Sequence, residues 1–225
     1  MAQLKYFYFN SFQERCTAAW DKDSFCVFTD PGAESPEEVK EITDFVAAKG
    51  LNPVAVMLTH AHFDHIYGVN ALVKAYGIPV YMHEKEMYTI ETANPYMTKA
   101  FGLKLPDSFK GDGEVIRFVK EGDSIEAGSM KFEVLETPGH SPGGICFLER
   151  QEKVLFSGDT LFAGAIGRTD HPGGDYDMLM KSIFEKLLHL EGDTKVIPGH
   201  GPDTDIATER MTNPFLMPFN EPYEE

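Results

Sequence analysis

The stretch LTHAHFDHIYG, Leu58 to Gly68, sets three histidines and one aspartate within six positions, directly behind the apolar run Val54 to Leu58. The whole chain of 225 residues has only 8 histidines. At this composition an H-x-H-x-D-H pattern arises by chance roughly once in 1,500 such chains, so the cluster is specific. Histidine is the commonest metal ligand, and a divalent ion needs several ligands converging from fixed backbone. His60 and His62 are two apart, so in an extended segment their side chains project to the same side. Asp64 and His65 then turn away, towards a second ion a few ångströms from the first. The preceding apolar run reads as a short strand buried on both faces. The cluster therefore sits at a strand end, where rigid sheets hold functional turns.

Working outward, three more strand-end turns carry the same chemistry. Thr137 to Gly143 reads TPGHSPG and presents His140, Phe156 to Thr160 reads FSGDT and presents Asp159, and Ile197 to Gly201 reads IPGHG and presents His200. Their flanking glycines let backbone and ligand approach closely. The remaining histidines, His83, His171 and His189, read as ordinary, with solvation of the 171–174 loop preferred over a place in a cleft.

Around these turns the elements alternate. Tyr6 to Phe9 and Ser24 to Thr29 read as antiparallel strands, with Thr17 to Asp23 as a polar turn between them. Ser35, Pro36 and Glu38 form a helix start by capping box, Val39, Ile42, Phe45 and Val46 continue at helical spacing, and Gly50 ends the run. Val69 to Tyr76 predicts a second helix, Pro79 to Met82 a strand, and Glu84 to Thr92 a short helix. Ala93 to Gly113 lacks periodicity and reads as an irregular loop packed on the protein. A β-rich block follows at Val115 to Val119, Lys131 to Glu136, Ile145 to Leu148 and Val154 to Ser157. Tyr176 to Leu190 predicts a helix and Lys195 to Ile197 a strand, before an acidic, Pro-containing tail whose apolar part, Phe215 to Phe219, docks on its own domain or a neighbour. No linker divides residues 1–225, which read as one domain.

Composition narrows the function. The chain is 42% hydrophobic and 25% charged, with a formal net charge of −16. It shows no basic stripe, which argues against nucleic acid and anionic membrane as partners. The absence of a basic start with a hydrophobic block, and three cysteines without paired spacing, predict a cytoplasmic protein. Oligomeric state is left open.

THAHFDH, PGHSPG, SGDT and PGHG, in that order, resemble the metallo-β-lactamase superfamily over nearly the whole chain. The resemblance implies an α/β (α+β in some schemes) four-layer αβ/βα sandwich with the metal site at the sheet edge. It implies that His60, His62 and His140 hold one metal, that Asp64, His65 and His200 hold another, and that Asp159 bridges them. Asp64 and Asp159 are then the catalytic carboxylates, and the cofactors two divalent ions, zinc first, with iron or manganese suited to the same ligands. Gly158 to Phe162 and Gly167 to Asp170 resemble the glyoxalase II-like hydrolases, and Thr212 to Leu216 looks like the end of short bacterial members of that group.

Such a pair of ions lowers the pKa of a shared water from about 15.7 to roughly 7 and stabilises a tetrahedral oxyanion. A thiolate leaves without a strong general acid, so the implied substrate is a small-molecule thioester of the hydroxyacylglutathione type. Full-length glyoxalase II enzymes carry a helical domain after the last metal histidine that helps bind glutathione. Only 25 residues follow His200 here, so recognition falls to the loops. Arg168 reads either as a clamp for a substrate carboxylate or as a local partner of Asp170. An iron-dependent persulfide dioxygenase is the alternative, since those enzymes carry a similar Gly-Arg-Thr-Asp stretch; a lactonase or a non-catalytic metal-binding module ranks below both.

Overall fold

In the computed structural model, which describes residues 2–106 and 115–217, the chain opens with three strands. They are β1 (Gln3–Phe9), β2 (Glu14–Trp20) and β3 (Phe25–Thr29), paired antiparallel in that order. The segment Thr17 to Asp23 is thus a turn only in its second half: Thr17 to Trp20 completes β2, every residue of which is buried. Of the segment's polar residues, Thr17 is buried in the strand, and Asp21, Lys22 and Asp23 belong to the reversal after it. Glu14 accepts from the Gly32 amide at 3.2 Å, and Arg15 pairs with Asp203. The real reversals lie either side, at Asn10 to Gln13 and Asp21 to Ser24. Asn10, Gln13 and Ser24 adopt positive φ there, and the Asp21 carboxylate caps the Asp23 and Phe25 amides.

Helix α1 (Pro36–Lys49) begins with the expected capping box, Ser35 accepting from the Glu38 amide and Glu38 from the Ser35 amide, and stops at Gly50 with φ 64°. It leads into β4 (Asn52–Met57), then α2 (Phe63–Ile66), α3 (Val69–Tyr76) and β5 (Val80–Met82). Next come α4 (Glu86–Tyr88), a π-helical turn (Thr89–Ala93) and α5 (Asn94–Phe101), which run on without a break. The irregular loop read over Ala93 to Gly113 is therefore helical in its first part, while residues 107–114 lie outside the described residues. Pro95 falls in the first turn of α5, where its missing N–H costs nothing. Strand β6 (Ile116–Phe118) completes a six-stranded sheet ordered β1-β2-β3-β4-β5-β6, parallel from β3 onward.

The second half of the chain repeats the theme. Strands β7 (Ser124–Ala127), β8 (Met130–Glu136), β9 (Ile145–Glu149) and β10 (Val154–Gly158) are antiparallel, and a small pair, β11 (Leu161–Phe162) and β12 (Ala165–Ile166), follows. Helix α6 (Tyr176–Ser182) continues as a π-helical turn to Leu187, and β13 (Lys195–Pro198) pairs parallel with β10. Strand β14 (Thr204–Asp205) and an unforeseen helix α7 (Ile206–Thr212), capped by Asp205, close the second sheet and its cover. The sheet order is β14-β13-β10-β9-β8-β7.

Three buried clusters define four layers. Ile42, Val46 and Leu72 of α1 and α3 pack on Phe7, Phe28 and Val56 of the first sheet. The opposite faces of the two sheets meet through Val27 and Met57 against Phe132, Phe147 and Phe156. Leu179, Ile183 and Leu187 of α6 and its extension, with Ile206 of α7, cover the outer face of the second sheet at Leu148, Leu155 and Val196. Leu216 buries into this last cluster, so part of the apolar tail docks on its own chain; Pro218 and Phe219 lie outside the described residues. Strands β3 and β4 run parallel, and β8, β10 and β13 share one direction, so their carboxyl ends collect at one edge of the sandwich. No helix among the described residues is long and apolar enough to cross a membrane.

Candidate metal centre

Each clustered side chain leaves the end of a strand. After β4 the backbone stays irregular through His60 and extended at His62 (φ −61°, ψ 151°), then enters α2, whose first turn carries Asp64 and His65. The switch from extended to helical backbone is what sends His62 one way and Asp64 and His65 the other. His140 follows β8, Asp159 follows β10 and His200 follows β13. Gly158 sits at φ +49° against the Thr59 side chain, and a Cβ on Gly199 would press on Asp159 and His65. These glycines let the β10 and β13 loops close on the centre.

The structure brings together His60, His62 and His140 as one set, and Asp64, His65 and His200 as another, each with donor atoms within 4.8 Å of one another. Asp159 lies between them. Its Oδ1 is 3.5 Å from His65 Nε2, and its Oδ2 is 3.6 Å from His140 Nε2 and 3.7 Å from His200 Nε2. His200 Nε2 is also 3.4 Å from Asp64 Oδ2.

Hydrogen bonds on the far side of three imidazoles, and a carboxylate contact behind a fourth, fix which nitrogen faces inward. His140 Nδ1 donates to the Arg168 carbonyl at 2.8 Å, and His200 Nδ1 to the Phe12 carbonyl at 3.1 Å. Thr59 Oγ1 donates to Asp30 at 2.5 Å and therefore accepts from His60 Nδ1 at 3.1 Å. His65 Nδ1 faces Asp30 Oδ2 at 3.3 Å. In all four the Nε2 lone pair is left pointing at the centre, the arrangement that orients metal-bound histidine. Within the protein, the buried atoms His60 Nε2, His62 Nε2 and Asp159 Oδ1 have no hydrogen-bond partner. Most buried polar atoms in proteins are paired, so the orphans His60 Nε2 and Asp159 Oδ1, with His62 Nδ1 2.9 Å from His140 Nε2, fit a divalent cation.

Electrostatics divide the two sets. Burial pushes the His60 and His62 imidazolium forms well below the usual range, reinforced by neighbouring rings, and brings His140 down to about 4. Burial opposes charge on His65 and His200 too, yet the Asp159 and Asp64 carboxylates outweigh it and hold both above the ordinary value. Asp159 in turn lies far below the carboxylate range, because His200 and His65 overcome its burial.

A family model for the metallo-beta-lactamase superfamily matches residues 13–200. The chain belongs to the metallo-β-lactamase superfamily. Its sequence is 39% identical to hydroxyacylglutathione hydrolase GloC of Haemophilus influenzae over 207 residues, covering 92% of this chain and 94% of that protein. Among solved structures, the BLEG-1 B3 metallo-beta-lactamase superposes with a TM-score of 0.87 at 36% identity, covering 96% of this chain and 100% of that one. A di-iron-bound form of TTHA1623 gives a TM-score of 0.82 at 37% identity, covering 94% and 100%. The four-layer sandwich expected from the motifs is thus the observed fold.

Several supports of this metallo-β-lactamase centre escaped the sequence reading. Asp30 accepts from the Thr59 amide at 2.7 Å as well as from its hydroxyl, and so steadies His60 and His65 together. Its position just after β3 was the available signal. Glu86, fully buried, accepts from the Ala61 amide at 2.7 Å and the Gly143 amide at 2.8 Å, joining the loops of His60 and His140; Asn94 donates to the Ala61 carbonyl at 2.8 Å. Nothing in the local sequence marks either. Arg15 holds the His200 loop through the Gly201 carbonyl and Asp203.

A cavity of about 420 Å³ opens over the centre, with His62, Asp64, His140, Asp159 and His200 on its floor. His171 lines it, half-buried, with ring centroids 4.7 Å from His62 and 4.9 Å from His140. The expectation that solvent takes this ring is corrected: the turn 171–174, closed by the Gly174 amide on the His171 carbonyl, tips it inward. Arg168 reaches the cavity rim with its guanidinium held by Asp170 at 2.7 and 3.0 Å, while its carbonyl orients His140.

Proposed function

We propose that the chain is a dinuclear metallohydrolase that cleaves small-molecule thioesters, one ion held by His60, His62 and His140 and the other by Asp64, His65 and His200, with Asp159 shared. The observation that carries this reading is the meeting of two donor sets at Asp159, where the buried His60 Nε2 and Asp159 Oδ1 have no partner within the protein. The match to a relative named as a hydroxyacylglutathione hydrolase supports the substrate class. Bound there, divalent ions supply a water acidic enough to act at neutral pH and polarise the scissile carbonyl. Zinc suits the five imidazoles and two carboxylates, and iron is equally compatible with them.

The chain's own groups do the rest. Asp64 and Asp159, on the cavity floor, accept the hydrogen bonds of the attacking water, and Asp64 takes up its proton while Asp159 stays ionised. The Nδ1 contacts to Thr59, Asp30, Arg168 and Phe12 hold the imidazoles so that no reorganisation is needed as charge develops. A bond forms between water oxygen and acyl carbon, the carbon–sulfur bond breaks, and sulfur leaves with the electron pair as a thiolate. No side-chain acid is required at the leaving group. The three free, buried cysteines support a cytoplasmic place of work.

A second reading, β-lactam hydrolysis, is favoured by the 36% identical structure that carries that name. Assaying zinc-loaded protein for free thiol from a thioester panel, beside a chromogenic β-lactam, separates the two. Thioester turnover at least a hundredfold faster is expected. Turnover of the β-lactam alone would replace the reading, and oxygen uptake with a persulfide by iron-loaded protein would point to the dioxygenase class.

A further inference from the structure

The cavity over the centre has two unlike walls. On the side of Asp64 and His200 stand Phe12 from the β1–β2 turn, Phe63 from α2, and Met97 and Phe101 from α5. The three phenylalanines form one cluster, with centroids 5.2 Å apart for Phe12 and Phe63, 6.5 Å for Phe12 and Phe101, and 6.4 Å for Phe63 and Phe101. Yet Phe12 remains 39% and Phe101 53% exposed. Two separate chain segments thus place apolar rings in water at the mouth of the cavity, backed by the buried Phe63 and Met97, a pattern that marks a binding surface. On the opposite side, beside His140, stand His171 and the Arg168–Asp170 pair.

This asymmetry deepens the thioester reading, on which it rests. We infer that the substrate is a thioester of a medium-chain or aromatic acyl group on a polar thiol, with the acyl arm lying along Phe12, Phe63, Met97 and Phe101 and the thiol arm along His171 and Arg168. A carbonyl placed over Asp159 has the apolar wall on one side and the polar wall on the other. A two- or three-carbon hydroxyacyl arm leaves most of the aromatic wall wet and sets its hydroxyl against rings that offer no hydrogen bond. A longer or aromatic arm removes the exposed surface of Phe12 and Phe101 from water. Biological thiol carriers are polar, and His171 with the Arg168–Asp170 pair suits them better than the phenylalanine wall does.

The test is kcat/KM for zinc-loaded protein over acetyl, lactoyl, butyryl, hexanoyl and phenylacetyl thioesters of one thiol. Burial of each methylene predicts a rise of about threefold, so hexanoyl exceeds acetyl by at least about tenfold. Phe101→Ala and Phe12→Ala, both at exposed positions, are expected to cut the hexanoyl-to-acetyl ratio severalfold, and circular dichroism checks that both fold. A flat series, a preference for lactoyl, or a ratio unmoved in both variants overturns the inference while leaving the hydrolase standing. No thiol release from any member overturns the hydrolase reading itself.

Discussion

At the scale of single residues, Asp30 steadies one histidine from each set: His60 through Thr59, and His65 directly. Asp30→Asn replaces one acceptor oxygen by a donor facing donors. We expect it to weaken binding of both ions about 10–100-fold, the range for outer-shell partners of metal ligands, read by competition with a chromogenic chelator. The pH dependence should differ between the sets. A raised pKa means the proton stays on to higher pH and competes with the metal, so affinity at Asp64, His65 and His200 falls first as pH drops through the raised values of His65 and His200. Lowered values mean competition begins only in acid, near 4 for His140. Cobalt-loaded protein stepped from pH 8 to pH 4 should lose its ions in two stages; loss in a single stage would show that the imidazoles are not so divided.

At the scale of elements, the centre depends on how loops from the two sheets are tied. Both oxygens of Glu86 accept backbone N–H groups, from Ala61 and Gly143, so only a carboxylate satisfies both. Glu86→Gln sets an amide N–H₂ against one of those donors and should destabilise the fold by about 1–3 kcal/mol, seen in urea unfolding of metal-free protein. Helix α6 is set equally close: the Asp175 amide donates to the Gly139 carbonyl at 2.7 Å, and a Cβ on Gly139 would meet the Leu179 backbone. Gly139 also holds φ +137°, so Gly139→Ala should push α6 from the sheet and displace His140. We expect a Tm drop of several degrees by calorimetry. Elements with strong local signals were legible, α1 by its capping box, β4 by its apolar run and β10 by an apolar run ending at Gly158. Strand β2 was missed because buried polar residues such as Glu14 and Arg15 break its apolar pattern, and α5 because its buried face is narrow. α7 lies in a segment that reads as tail, where only Ile206 and Glu209 are buried. Tertiary contacts outweigh local pattern in all three.

At the scale of the whole molecule, four layers bring the carboxyl ends of β3, β4, β8, β10 and β13 to one edge. All seven clustered residues were legible because each sits in a short motif at a strand end; their supports were not, since Glu14, Glu86 and Arg15 approach from elements with no such motif. The protein carries a net charge of −16, and at the centre Asp64 and Asp159 lie over buried Asp30 and Glu14. The two divalent ions proposed for the centre would offset this local negative charge. Because ions bind the folded chain and not the unfolded one, chelation should lower Tm by about 8 °C or more, and re-addition of zinc should restore it. The most direct measurement is metal content per chain, by mass spectrometry on protein purified without chelator and on His200→Ala and His140→Ala. Two ions in the parent and one in each variant are predicted. One ion or none in the parent, or two retained in both variants, would contradict a centre in which these side chains hold a pair.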